Sequence, residues 1–513
     1  MGERVKKSIR NAEVNLVFYF LTLFLTFFSR KIFLDNLGAD FVGLTSTLSN
    51  ILGYMNLAEL GIGSCISFFL YKPLQENRQE EINELLSVFG YLYRCIGYII
   101  LIVGIIISLF FPFIFHNNEL GFGIVYFAFY SILASSLIGY FINYRQILLT
   151  ADQKGYIVAI YFQSSRIVLI ALQIYMALLF RNTYVWVALE FLFSLFGCIV
   201  LNWKIDKEYP WLNTNKNAGK EFLKKYPTIL TNTRQIFIHK IKDFILNKSD
   251  ELFVFIFVSL KMVAYYGNYT MIVAKIGLLF SSVLDSTYAG VGNLIAEGNK
   301  QNIMKVFWEL MTIRHFVAGF IFFSIYHFIE PFISIWLGPE YILSHTILLL
   351  LCVHIYISTS RGVVDMFNHA HGLYADTWSA WTELIINVCT TLIAGFYWGI
   401  IGILLGKICS TLLIIVFWKP YYLFTSGLHE SYTSYWKAAS IYFAVNTISI
   451  YITNQSRLLF SIDPYNGYLS WILYTLILLS IYLVINILLM LLLCRGAKDA
   501  FRRILSIVKY KSN

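Results

Sequence analysis

Long apolar runs recur along most of the chain, interrupted by short polar gaps. Read at about twenty residues per membrane crossing, they predict spans near 14–34, 41–70, 86–113, 121–143, 155–179, 184–203, 238–259, 265–295, 304–328, 341–363, 377–397, 399–418, 437–454 and 468–493. The predicted fold is therefore all-α, a polytopic membrane protein of about fourteen transmembrane helices. The first run follows a basic start (Arg4, Lys6, Lys7, Arg10) and ends in Ser-Arg-Lys without a small-x-small cleavage pattern, so it reads as a retained span.

Composition agrees with the pattern. Hydrophobic types make up 58 % of 513 residues and charged types only 13 %, which excludes a soluble globular chain. With the N-terminus placed in the cytosol, 25 Lys/Arg fall on the cytosolic side and five (Arg30, Lys31, Arg181, Lys261, Arg457) on the other. That asymmetry predicts a multi-pass membrane protein with both termini cytoplasmic. A basic cytosolic face accounts for the net charge of +10, so no nucleic-acid partner is called for.

The outward gaps are short, which argues against an enzyme built on a large external loop. No P-loop is present, and the seven cysteines show no C-x-x-C spacing. His369 and His371 form an HxH without further ligands. No cofactor or metal is expected.

A repeat is visible in the second and eighth spans. FVGLTSTLSN, from Phe41, leads into ENRQEEINELL, and YYGNYTMIVAK, from Tyr265, leads into EGNKQNIMKVF. Six spans separate the copies, an even number, so the halves share one orientation. The expected organisation is an N-lobe over 1–203, a cytosolic linker over 204–228, a C-lobe over 229–420, and two further spans with a basic tail over 421–513.

Within the spans, polar residues fall on stripes at 100° per residue. Thr45, Ser49, Asn56 and Glu59 share one face of the second span, and Gln163, Arg166 and Gln173 one side of the fifth. Lys240, Asp243, Asn247, Asp250 and Glu251 line the seventh; Asn268, Lys275, Ser282, Asp285 and Ser286 line the eighth. A charge facing lipid near mid-membrane costs about 2.5 kcal/mol or more. The stripes are therefore expected to face a hydrated cavity between the lobes, or to pair as buried ion pairs, as the i, i+4 spacing of Arg361 and Asp365 predicts.

Candidate substrate-binding bases are Arg94, Arg166, Lys275, Arg314, Arg361 and Lys407. Guanidinium and ammonium groups in a cavity suit an anion, phosphate above all. Glu59, Asp250, Asp285 and Glu383 are candidates for coupling a cation or balancing these bases. Arg234, Lys240 and Lys242 fit an interfacial amphipathic helix equally well.

LAELGIG (57–63) followed by Tyr71-Lys72-Pro73-Leu74, then NKSDELFVFIFVS (247–259), VGNLIAEGNKQNI (291–303), FISIWLGPEY (332–341), RGVVDMFNHAHGLYAD (361–376) and GIIGILLGKICS (399–410), together resemble the Wzx-like oligosaccharide flippases of the polysaccharide transporter family. These belong to the multidrug/oligosaccharidyl-lipid/polysaccharide (MOP) exporter superfamily, which also holds the lipid II flippase and multidrug extruders. The resemblance runs over about 40–420. It implies a two-lobe, V-shaped fold with a central cationic cavity, and an undecaprenyl-pyrophosphate-linked oligosaccharide moved from inner to outer leaflet. Asp250 and Arg361 fall where the family pattern carries an acid and an arginine. The implied partners are the lipid-linked oligosaccharide, membrane lipid, and the glycan polymerase and glycosyltransferases of the same pathway. Many such flippases have twelve spans, so the last pair stands outside the pattern. Two other functions stay open: a cation-coupled multidrug extruder of the same superfamily, and a membrane glycan polymerase or ligase.

Overall fold

The computed structural model describes residues 3–56, 62–115, 120–152, 154–230, 233, 246, 249–373 and 376–503. Every regular element among the described residues is helical. In chain order the main helices are α1 (Glu3–Leu37), α2 (Ala39–Met55), α3 (Ile62–Gln75), α4 (Gln79–Leu109), α5 (Phe122–Phe141), α6 (Gln146–Ala151), α7 (Gly155–Phe180), α8 (Thr183–Glu208) and α9 (Gly219–Lys225). After them come α10 (Leu260–Leu284), α11 (Tyr288–Glu297), α12 (Lys300–Trp336), α13 (His345–Ser360), α14 (Gly362–Ala370), α15 (Thr377–Trp398), α16 (Ile400–Thr411), α17 (Tyr432–Ser456) and α18 (Tyr468–Leu493).

Among the described residues, ten helical stretches are long and apolar enough to cross a membrane, and they coincide with ten of the fourteen predicted spans. The other four differ for separate reasons. The span near 41–70 holds α2 and α3, of 17 and 14 residues, and residues 57–61 between them lie outside the described residues. The span near 265–295 is interrupted by a 3-10 turn at Asp285–Thr287. The first part of 238–259 lies outside the described residues, as do Arg234, Lys240, Lys242 and Lys248. Helix α17 has the length, 25 residues, but carries buried Asn446, Ser449 and Thr453, which lower its mean hydropathy.

The two copies of the repeat share one order of elements. In each, two helices are followed by a short polar connector and a long helix: α2, α3 and α4 in the first, α10, α11 and α12 in the second.

The chain folds as two compact units, Met1–Ala264 and Tyr265–Asn513. The first packs around Phe41, Leu44, Leu48, Phe89, Phe111 and Phe129, all at most 1 % exposed. Residues 209–226, which follow α8, dock back onto α4: the Asn213 and Asn215 backbone N–H groups donate to Asn83 Oδ1 and Ser87 Oγ, both at 2.9 Å. Tyr226 and Lys225 close the far end on Glu84. This connector is hydrophilic, yet it is held in place.

In the second unit Phe307, Phe367, Phe424 and Tyr442 form one buried cluster, and Phe323 with Tyr482 another. Lipid tails are as apolar as these side chains, so close packing and polar contacts hold the helices together. Helices α15 and α16 show the packing part. A Cβ on Gly402 would strike the Ala394 carbonyl and one on Gly406 would strike Thr391, so the two backbones run nearly in contact.

Helices α17 and α18 show the polar part. Asn446 donates to the His315 carbonyl at 3.3 Å and the Tyr356 hydroxyl at 3.4 Å, and its Oδ1 accepts from Tyr482 and Asn486, both at 3.1 Å. The last two spans are thereby tied into α12 and α13. Elsewhere large apolar side chains such as Phe396 and Leu492 lie open on the surface, as a lipid-facing wall requires.

Candidate charged sites of the two units

In the second unit the charges come in pairs. Arg314 projects from the long helix α12 and is only 5 % exposed, with Nη2 2.6 Å from Asp285 Oδ1. Asp285 reaches it because the 3-10 turn at Asp285–Thr287 ends α10 there. The guanidinium lies flat against Gly362, the first residue of α14, where any Cβ would collide with Nη1. One turn away, Arg361 Nε sits 3.3 Å from Asp365 Oδ2, the pairing predicted from the i, i+4 spacing.

These four charges all act on the Tyr288 hydroxyl, which places them in one electrostatic neighbourhood. His354, on α13, lies within range of Lys407 and Arg361 and has no hydrogen-bond partner at Nδ1. The structure thus gathers Arg314, Asp285, Arg361 and, through His354, Lys407 into one region. Asp285, expected as a separate coupling carboxylate, is the direct partner of Arg314. Lys275 stands half-buried on α10. Glu383 is buried on α15 near a polar ladder in which Asn387 Nδ2 donates to Ser410 Oγ at 3.5 Å.

The first unit is different. Arg166, the twelfth of 26 residues in α7, is exposed and makes neither a hydrogen bond nor an ion pair among the described residues. Its stripe neighbour Gln173 is buried and donates to Glu190 Oε2 at 3.0 Å. Arg94 turns toward the docked connector, giving Nη1 to Asn217 Oδ1 at 2.9 Å and Nη2 to the Lys216 carbonyl at 3.4 Å. Asp250 is half-buried in the helical stretch 249–257, and the adjacent Glu251 accepts from Asn50 Nδ2 at 2.7 Å. Glu59 lies outside the described residues.

Sequence reasoning missed Asn446, Glu251's link to Asn50, and Lys216. An asparagine in the interior of each of two apolar runs, Asn446 and Asn486, was the available signal for the first. The other two depend on where the connector and the 249–257 stretch dock, which no local spacing reveals.

Neither a protein-family model nor a curated protein sequence matches the chain. Solved structures do. A lipid II flippase, MurJ, in an inward closed conformation superposes with a TM-score of 0.66 at 14 % identity, covering 93 % of this chain and 99 % of its own. A multidrug resistance MATE family transporter of the MOP superfamily, in an inward-facing conformation, gives 0.58 at 15 % identity, covering 79 % and 95 %. A MATE structure in a bent conformation gives 0.50 at 14 % identity, covering 83 % and 97 %. Ten apolar helical stretches and these superpositions together define a multi-pass membrane protein with the fold of the MOP superfamily transporters.

Proposed function

We propose that the protein is a flippase that carries undecaprenyl-pyrophosphate-linked oligosaccharide from the inner to the outer leaflet of a bacterial cytoplasmic membrane, with both termini cytoplasmic. The observation that carries the reading is Arg166. At 1.5 Å per residue it stands about 17 Å from one end of α7 and about 21 Å from the other, beyond the reach of a snorkelling side chain. Facing lipid there would cost roughly 2.5–3.5 kcal/mol, so it is assigned to a hydrated path, where a base without an internal carboxylate suits an anionic head group.

In this reading Arg166 and Lys275, with Arg94, Arg361 and Lys407 as further contacts, replace water around the pyrophosphate while the glycan crosses by alternating access. Arg314 takes part through its pair with Asp285, and Asp250 and Glu383 balance charge or bind a coupling cation. Export of negative charge from an inside-negative cell gains about 2.3 kcal/mol per charge per 100 mV. The structural likeness to a protein named as a lipid II flippase supports a lipid-linked substrate. Glycosyltransferases and a glycan polymerase of one pathway would supply and consume it; the protein itself performs no bond chemistry.

The test is transport of a fluorescent lipid-linked oligosaccharide in vesicles holding the purified protein. Alanine at Arg166 and at Lys275 is expected to abolish movement at normal reconstitution efficiency. Unchanged rates for both variants reject the reading. The likeness to a multidrug transporter favours a second reading, a cation-coupled extruder of amphipathic drugs. It predicts altered drug susceptibility on deletion, with surface glycan intact.

A further inference from the structure

Arg94 and Lys216 meet where the 209–226 connector docks on the first unit. Arg94 hydrogen-bonds to the carbonyl of Lys216 itself and to the next side chain, Asn217. The Lys216 stem lies along Gly90 of α4, and its Nζ sits 4.6 Å over the Tyr144 ring. One donor goes to the carbonyl of Phe141, the last residue of α5, at 2.5 Å. Neither base makes an ion pair among the described residues. Arg145, the third base within electrostatic range, is already matched by Asp206 at 2.6 Å.

The arrangement is costly as it stands. The Lys216 ammonium is half-buried with only the Phe141 carbonyl and the Tyr144 ring face as partners, and Arg94, a second base, is hydrogen-bonded to the backbone carbonyl of the same residue. Burial foremost, then Arg94 and Arg145, hold the Lys216 ammonium below the ordinary lysine range. The C-terminal carbonyl of α5 offsets part of this through its partial negative charge. It uses one of three lysine donors, and the acceptors of Arg94 leave further guanidinium donors available.

We infer that Arg94 and Lys216, flanked by Asn217 and Tyr144, form a binding site for a phosphate or pyrophosphate group at the docked connector. An anion there would remove the mutual repulsion and accept from a planar guanidinium and a point-charge ammonium together. The site is distinct from Arg166, which lies on another helix and makes no polar contact among the described residues. Its role as a loading station for a lipid-linked pyrophosphate rests on the flippase reading above; the site itself does not.

The test uses the purified full-length protein and inorganic pyrophosphate, followed by calorimetry at fixed ionic strength. Wild type is expected to bind. Lys216→Met and Arg94→Gln are each expected to weaken binding at least tenfold, and Lys216→Arg to retain most of it. Proteolysis within 209–226 should slow when pyrophosphate is added to wild type, a readout that does not depend on how well the variants fold. No binding by wild type, or equal binding by both neutral variants, overturns the site.

Nanodiscs separate the sources. Loss of pyrophosphate binding in phosphatidylglycerol discs, with retention in neutral discs, assigns the site to lipid head groups; retention in both assigns it to soluble phosphate. Full transport by Lys216→Met despite weakened pyrophosphate binding would overturn the loading role alone. Binding without any transport by wild type would overturn the flippase reading and leave the site standing.

Discussion

Two bases of the second unit and three of the first differ in what balances them. In Tyr265–Asn513, Arg314 and Arg361 each hold an aspartate, at 2.6 and 3.3 Å. In Met1–Ala264, Arg94, Arg166 and Lys216 hold none among the described residues. A paired base is a fixed part of the fold, because removing its partner strands a charge. An unpaired base keeps its capacity for an anion brought from outside. Among the described residues, Arg314 and Arg361 are thus balanced inside their own unit, while Arg94, Arg166 and Lys216 are not.

The most direct way to break the contrast is Asp285→Asn, which strips Arg314 of its counter-charge. The expected loss is about 2–3 kcal/mol, at the low end for a buried pair because about half of the Asp285 side chain is open to solvent. Thermal unfolding in detergent measures it, and Arg314→Leu combined with Asp285→Leu should recover most of it. A variant that melts with wild type would mean that the pair is ornamental.

Asn446→Leu comes next, at about 2 kcal/mol, since Tyr482, Asn486 and the His315 carbonyl all lose a partner. His315 follows Arg314 on α12, so a double-mutant cycle with Asp285→Asn should show coupling above about 0.5 kcal/mol. Strict additivity would separate the last two spans from the charge pair.

A third pair of the second unit lies outside the spans. Burial would raise the Asp376 carboxyl, but the Lys419 ammonium, the Trp418 indole and the Ser379 hydroxyl outweigh it and hold it below its ordinary value. A depressed carboxyl stabilises the fold fully above its unfolded value, near 4, and loses that contribution as pH falls through its folded value. Asp376→Asn should therefore cost about 1–2 kcal/mol at pH 7, and the gap to wild type should close in unfolding measured below about pH 3.

The smallest stability effect is expected for Arg166→Ala, within about 0.5 kcal/mol, because no described contact is lost. Its transport rate should nonetheless fall at least tenfold. A large drop in melting temperature would place Arg166 among the structural charges and erase the difference between the units.

Much of this fold is legible in hydropathy, because a crossing helix must be apolar over a fixed length; α4, α12 and α18 are plain on that basis. The Arg361–Asp365 pair is equally legible, since four residues on one helix are neighbours in space. Arg314 and Asp285 are not. They stand 29 positions apart on different elements, and helical periodicity assigns Asp285 to a stripe with Lys275 while saying nothing of α12. The 3-10 turn at Asp285–Thr287 is hidden for a related reason: the run around it stays apolar enough to read as one span. The connector misleads in the other direction, because lysine and asparagine promise a loose loop, whereas its backbone is hydrogen-bonded to Asn83 and Ser87.

Gly362 carries a last implication. The Arg314 guanidinium occupies the space that a methyl group at this position would fill, so a single hydrogen atom in place of carbon allows a full positive charge to rest there. Any larger residue would evict that charge toward Tyr288 and water. A position with no functional group of its own thus acts as the switch between a hidden base and an available one, and its chemistry would be invisible to any survey of reactive side chains.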